Sequence, residues 1–239
     1  AFGGYAFSAL YPRTFAFALM VTFTAFTVYA ATIYNLQVIA IIGLVGAYCV
    51  PFLLSDGSGK VEIMFTYMSI INIGILILSF KKYWRALNQF AYYTSWVIFV
   101  SWFSAKYNPE IHQNIALFFS SVFFITFYVN FISYKIIKKE KFNFYDIILL
   151  LSNSFVYYGV GYVIFDSIRD GMYLGIFTVV NALVHFTFGA NVYRNKQVDQ
   201  KLFFLLIGLV LTFITIAVPV QLEGNWVTLF WSVEMGLLF

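Results

Sequence analysis

Charge is what this sequence has least of. Only 10% of its 239 residues are Asp, Glu, Lys or Arg, against 62% hydrophobic, and the mean hydropathy is +0.85. A soluble domain carries roughly 25% charge, so there is too little polar surface here to coat one or two water-soluble domains. A single membrane domain over 1–239 is the expected organisation. The other scarcities narrow the chemistry. With one cysteine, Cys49, no intrachain disulfide or cysteine metal cluster can form, and its apolar surroundings predict a packing role. Of two histidines, only His185 lies inside an apolar run, which excludes a bis-histidine haem. Every lysine falls in a loop or near a run's end, so no Schiff-base chromophore is expected deep in a bundle. No cofactor and no metal are expected. The chain opens Ala1-Phe2-Gly3-Gly4, without Met or a basic leader, and closes in an apolar run at Leu237-Leu238-Phe239, the pattern expected of a piece of a longer polytopic chain.

What the chain does have is long apolar runs. A spanning helix needs about 20 apolar residues, and nine runs approach that length: 14–34, 37–54, 61–80, 87–105, 114–137, 144–165, 171–193, 202–220 and 226–239. The turn between the first two is so short that they must form a helical hairpin. The runs are continuous rather than alternating, which argues against a β-barrel. The predicted fold class is an all-α integral membrane bundle of about nine helices.

The loops orient the bundle. Assigned to alternate sides, Arg13, Lys60, Lys106 and Arg169 share one face with Asp56, Glu62, Glu110, Asp166, Asp170 and Glu223. The other ten basic residues lie in or beside 81–85, 135–141 and 194–201. By the positive-inside rule these three loops are cytoplasmic and residue 1 is outside. A net charge of +4 dispersed this way makes topology signals rather than a nucleic-acid surface. The expected partners are membrane lipids and other envelope membrane proteins, with no nucleic acid.

Several motifs have simple readings. Gly57-Ser58-Gly59-Lys60 has the tail of a phosphate-binding loop, but Val61 stands where Ser or Thr is needed and no strand precedes it. Gly171 with Gly175, and Gly43 with Ala47, are small-residue pairs suited to close helix packing. Trp84, Tyr107, Tyr193 and Trp226 fit an interfacial aromatic belt.

The informative residues are polar groups at depth, where an unpaired charge costs several kcal/mol. Counted at 1.5 Å per residue, Glu234 lies about 13 Å inside a core of roughly 30 Å. His185 is at similar depth, with Asn72, Asn153 and Asn181 near the middle of their runs. Asn181 and His185, at i and i+4, share a helix face. Together these five make a candidate intramembrane polar layer of the kind a proton relay, ion path or polar-substrate site requires. The simpler alternative is that the amides bond to neighbouring helix backbones and Glu234 stays protonated or faces another helix. Outside the membrane, Glu110, His112, Asp166 and Asp170 offer an acid and base pair, with solvated loops as the alternative.

Two stretches carry a resemblance. Ile39 to Leu54 reads I-A-I-I-G-L-V-G-A-Y-C-V-P-F-L-L and runs into Ser55-Asp56-Gly57-Ser58. Ala217 to Glu234 reads A-V-P-V-Q-L-E-G-N-W-V-T-L-F-W-S-V-E, with Pro219, Gly224, Trp226, Trp231 and Glu234 in the pattern. With Trp84 and Asn88 following Lys81 and Lys82, they resemble the very large bacterial predicted membrane proteins grouped as domain of unknown function twenty-three thirty-nine. The resemblance implies many more helices, a bacterial inner membrane and service to the cell envelope, and it implies no reaction. The functional expectation is a component that binds or moves a polar or lipid-linked envelope substrate. The alternatives are a scaffolding subunit, or a membrane-face transferase using an external carboxylate or His112 as base. No motif demands an enzyme. The topology is checked by placing single cysteines at Lys139 and Asp166 in a Cys49→Ser background: an impermeant thiol reagent applied outside should label the second only, and equal labelling rejects the nine-helix arrangement.

Overall fold

The computed structural model describes residues 13–53, 61–82, 84–138, 140–168, 171–194, 200–221, 231–233 and 235–236. The described elements are helical: α1 Arg13–Tyr34, α2 Gln37–Leu53, α3 Val61–Lys81, α4 Arg85–Lys106, α5 Pro109–Lys138, α6 Phe144–Asp166, α7 Leu174–Arg194 and α8 Gln200–Gln221. Five of these contain segments long and apolar enough to cross a membrane: Val61–Lys81, Pro109–Ser133, Phe144–Asp166, Leu174–Arg194 and Gln200–Gln221. The expected ninth run and the glycine loop at 57–60 fall largely or wholly outside the described residues.

Three expectations are corrected. The fifth helix starts at Pro109 rather than 114, because Asn108 caps it: the Glu110 amide donates to Asn108 Oδ1 at 2.9 Å and the His112 amide to the Asn108 carbonyl at 2.8 Å. Proline at the first helical position loses no hydrogen bond, so a segment that reads as loop is the first turn. The seventh starts at Leu174 rather than 171. Gly171 takes φ +77 and its amide bonds the Ile168 carbonyl, so it lies in the turn and does not pair with Gly175 along one helix. Cys49 is exposed on the outer face of α2, not packed inside; a small apolar thiol suits a lipid-facing position as well as a core.

The chain divides into two compact units, residues 1–106 with 125–130, and 107–124 with 131–239. In the first, α1 and α2 form the expected hairpin. Asn35 turns the chain with φ +56, and the Leu36 amide reaches the Ala31 carbonyl at 3.0 Å, closing the end of α1. A Cβ on Gly43 would lie 2.7 Å from the Thr27 methyl, so the close-packing reading of that glycine holds. Phe65, Phe99 and Trp102 pack ring to ring across α3 and α4, with centroids 5.0 to 5.8 Å apart.

In the second unit the helices run antiparallel in sequence order. Asn153 meets the Phe124 carbonyl and Ser121 meets Tyr157 across α5 and α6. Tyr158 meets Thr178 across α6 and α7. Gly175 meets Gln221 and Gly189 meets Leu206 across α7 and α8. The missing Cβ of Gly175 admits the Gln221 side chain, whose Oε1 accepts the Gly175 amide at 2.9 Å and satisfies one otherwise orphaned donor of α7's first turn. Tyr158, Leu174, Phe177, Ala182, Leu209 and Phe213 form this unit's core.

Burial departs from that of a water-soluble protein at the surface, where large apolar side chains stand exposed around a mostly apolar core. On α7, Asn181 and His185 are buried at 2% and 0% exposure, while Ile176, Leu183 and Phe186 each stand more than half exposed. Polar groups inside and large apolar groups outside are what an apolar solvent selects.

One ion pair closes the second unit's α5–α6 hairpin. Lys135, counted from sequence as a topology signal, is buried and donates its Nζ to Asp146 Oδ2, to the Lys141 carbonyl at 3.2 Å, and toward the face of Phe142. Asp146 also accepts the Asn143 amide, while its own amide donates to Asn143 Oδ1, which completes a capping box at the start of α6. Removing one partner strands a charge with no water. Lys135→Ala or Asp146→Ala is therefore expected to cost about 3 to 5 kcal/mol, while Lys135→Met with Asp146→Leu costs less, about 1 to 2 kcal/mol for the lost capping box and the Lys141 carbonyl; thermal unfolding of the purified chain in detergent measures all three.

Candidate functional site

The polar residues picked from sequence belong to two different settings. Asn72 belongs to the first unit and is saturated. Its Oδ1 accepts the Tyr48 hydroxyl at 2.6 Å, its Nδ2 donates to Ser95 Oγ at 2.9 Å, and the two hydroxyls lie 2.9 Å apart, closing a triangle across α2, α3 and α4. All three residues are buried. A second pair lies nearby in the chain order: Asn130 Nδ2 donates to Asn88 Oδ1 at 2.8 Å, and Asn88 Nδ2 to the Trp84 carbonyl at 3.0 Å. Asn130 Oδ1 is left without a partner, the one loose acceptor of this pair.

Asn153, Asn181 and His185 belong to the second unit. Asn153 Nδ2 donates to the Phe124 carbonyl at 3.0 Å, the helix-to-backbone bond that the simpler reading expects. Asn181 and His185 share the inner face of α7, one turn apart. The His185 ring stacks on Phe213, with centroids 5.3 Å apart at 6°, and meets the edge of Phe124 at 6.1 Å. Phe124 stacks in turn on Tyr157 at 4.4 Å, and the Tyr157 hydroxyl lies 3.1 Å from Ser121 Oγ. One turn before Asn181, Thr178 bonds the Tyr158 hydroxyl at 3.1 Å and the Leu174 carbonyl at 2.8 Å.

Asn181 alone among these amides has neither Nδ2 nor Oδ1 bonded. An amide buried without partners forfeits about 1 to 3 kcal/mol per unmade group. Its neighbours along the same helix face are Thr178, one turn earlier, and His185, one turn later, neither of them a carboxylate or ammonium, so that face suits a neutral hydrogen-bonding group rather than a free ion. Glu234 lies outside the described residues.

At the acidic end of this unit, His112 Nδ1 accepts the Asn108 amide at 3.1 Å, so the imidazole helps cap α5. Glu110 and Asp166 are exposed there, and Asp170 lies outside the described residues. Tyr107, in the turn before α5, has its hydroxyl pKa raised by burial, with the Ser167 side chain pulling the other way.

The apolar spans and the exposed apolar faces are those of a membrane protein, and comparison with protein families agrees. The chain belongs to the predicted membrane protein family DUF2339. The family's model matches residues 1–239, the whole of the sequence. No curated protein and no solved structure matches the chain. The stretches that carried the resemblance are thus part of a DUF2339 match over the full length, and the site above is described from its own geometry.

Sequence reasoning missed Tyr48, Ser95, Asn88, Asn130, Tyr158, Thr178 and the Lys135–Asp146 pair. The two further amides were visible as polar residues inside apolar runs, and Asn143-x-x-Asp146 was visible as a helix-start pattern; the tyrosines carried no signal separating them from interfacial rings. A contrast between two amides checks this account. Asn72→Leu removes two of the triangle's three hydrogen bonds, leaving only the one between Tyr48 and Ser95, and should lower stability by about 1 to 3 kcal/mol. Asn181→Leu removes an unpaired amide from an apolar core and should leave stability equal or raised; thermal unfolding in detergent compares them, and an equal loss at both sites rejects the distinction.

Proposed function

We propose that this chain is part of a multi-pass bacterial inner-membrane protein that binds or moves a polar or lipid-linked cell-envelope substrate, and that Asn181 is its contact point within the second unit. The observation that carries this reading is the Asn181 amide, buried at 2% exposure with both polar atoms unbonded. Most polar residues described around it have a bond that explains their presence in an apolar interior. A group kept polar at an energetic cost is where a transient hydrogen-bonding partner gains most, because binding supplies what the empty state lacks. The rings of Phe213, Phe177 and Tyr158 in the same unit's core favour a neutral or lipid-attached headgroup. His185, Asn153 and, on the sequence count, Glu234 complete the second unit's polar set in this reading, with residue 1 outside and the loops at 81–85, 135–141 and 194–201 cytoplasmic.

A scaffolding role is the second reading, favoured by the closed Tyr48–Asn72–Ser95 triangle and the Lys135–Asp146 clasp, which consume their own polar valences. A membrane-face transferase has less support, since His112 is engaged in capping α5. Complementation of a deletion strain separates the first two. Asn181→Leu should accumulate at parental levels in the membrane and fail to complement, and Glu234→Gln should do the same; full complementation by both leaves the scaffold.

A further inference from the structure

The antiparallel order of the second unit brings the α5–α6 turn and the α7–α8 connection to one end. Lys141, Arg194 and Lys201 are exposed there, and Glu140 is the single exposed carboxylate among the described residues of that end. Asp146 is spent on Lys135, and because Lys135 Nζ also holds the Lys141 carbonyl, the turn's backbone is pulled inward while the Lys141 side chain stands in solvent. Four of the most exposed aromatic side chains lie at or within a turn of these cations: Phe144 and Tyr145 at the start of α6, Tyr193 at the end of α7 and Phe204 in the first turns of α8. The opposite end of the same unit carries exposed Glu110 and Asp166.

We propose that the basic end of the second unit binds the phosphodiester headgroups of anionic phospholipid. Lys141, Arg194 and Lys201 contact the phosphates, and the four rings enter the boundary between headgroups and acyl chains. Rings alone would seat the helices in any bilayer, and cations alone would attract any anion. Long basic side chains reaching outward beside rings at the same depth match a phosphate attached to an acyl chain.

The inference rests on the membrane reading and is independent of Asn181. The test is thermal unfolding of the full chain in dodecyl maltoside micelles with added phosphatidylglycerol, phosphatidylcholine or inorganic phosphate. Phosphatidylglycerol should raise the Tm, with little change from the other two, and the combined Lys141→Gln, Arg194→Gln, Lys201→Gln chain should lose that rise. Lys141→Gln alone, in an exposed turn where the fold does not depend on its side chain, should weaken phosphatidylglycerol binding about fivefold, while Glu110→Gln with Asp166→Asn should not weaken it. Equal shifts with both lipids, or an undiminished phosphatidylglycerol shift in Lys141→Gln, overturns the headgroup assignment. A chain that stays dispersed without detergent overturns the membrane reading itself.

Discussion

Where no water can reach, every hydrogen-bonding group must find its partner inside the protein, and the rest of this structure follows from that constraint. It dictates helices, which satisfy their own backbones. At the helix ends, where backbone groups are left orphaned, Asn108 and Asn143 cap their helices through side chains, and Gln221 reaches across from α8 to take an amide of α7. The constraint also sets asparagines among buried aromatic rings while isoleucines and further phenylalanines face outward. The Lys135–Asp146 pair is the sharpest case. Two charges buried at the end of a hairpin are tolerable only because the lysine also finds a carbonyl and a ring, and the carboxylate an amide.

The same constraint separates the two units by how completely they meet it. In the first, Tyr48, Asn72 and Ser95 exchange hydrogen bonds in a closed ring, and such a group fixes how three helices meet. The Asn88–Asn130 pair leaves only one acceptor over. In the second, the aromatic core is dense, with Tyr158 stacked on Phe177 and a Cβ at Gly161 excluded by the Phe177 ring, yet the Asn181 amide stays unsatisfied within it. Tight packing around an unmet polar group differs from loose packing around one, because the neighbours have not relaxed to accommodate it.

Much of the architecture was legible because hydropathy is a one-dimensional quantity. Run length gave the helices, and the short link at Asn35 gave the first hairpin. Boundaries failed where local chemistry overrode hydropathy: Asn108-Pro109 starts a helix in a polar stretch, and the left-handed Gly171 delays one in a stretch that reads as helical. The face of each helix was less legible. Cys49 sits in an apolar run on the outward side, and nothing in an apolar run says which side that is when both core and surroundings are apolar. Lys135 could not be told from its neighbours in the basic cluster, because its burial depends on Asp146, eleven residues away and across a turn.

Depth counting found the amides but could not rank them. Asn72, Asn153 and Asn181 look alike as single polar residues near the middle of apolar helices, and they differ only in what lies opposite. Asn72 meets two hydroxyls and Asn153 a backbone carbonyl, while neither polar atom of Asn181 is hydrogen-bonded. The first two have structural explanations that account for their cost. An asparagine without one, set a turn from a histidine that packs flat on Phe213, adds nothing to the stability of the empty core. Its presence therefore argues for a state of the molecule in which that amide is bonded, and this is why the functional reading is placed on Asn181 rather than spread over the layer.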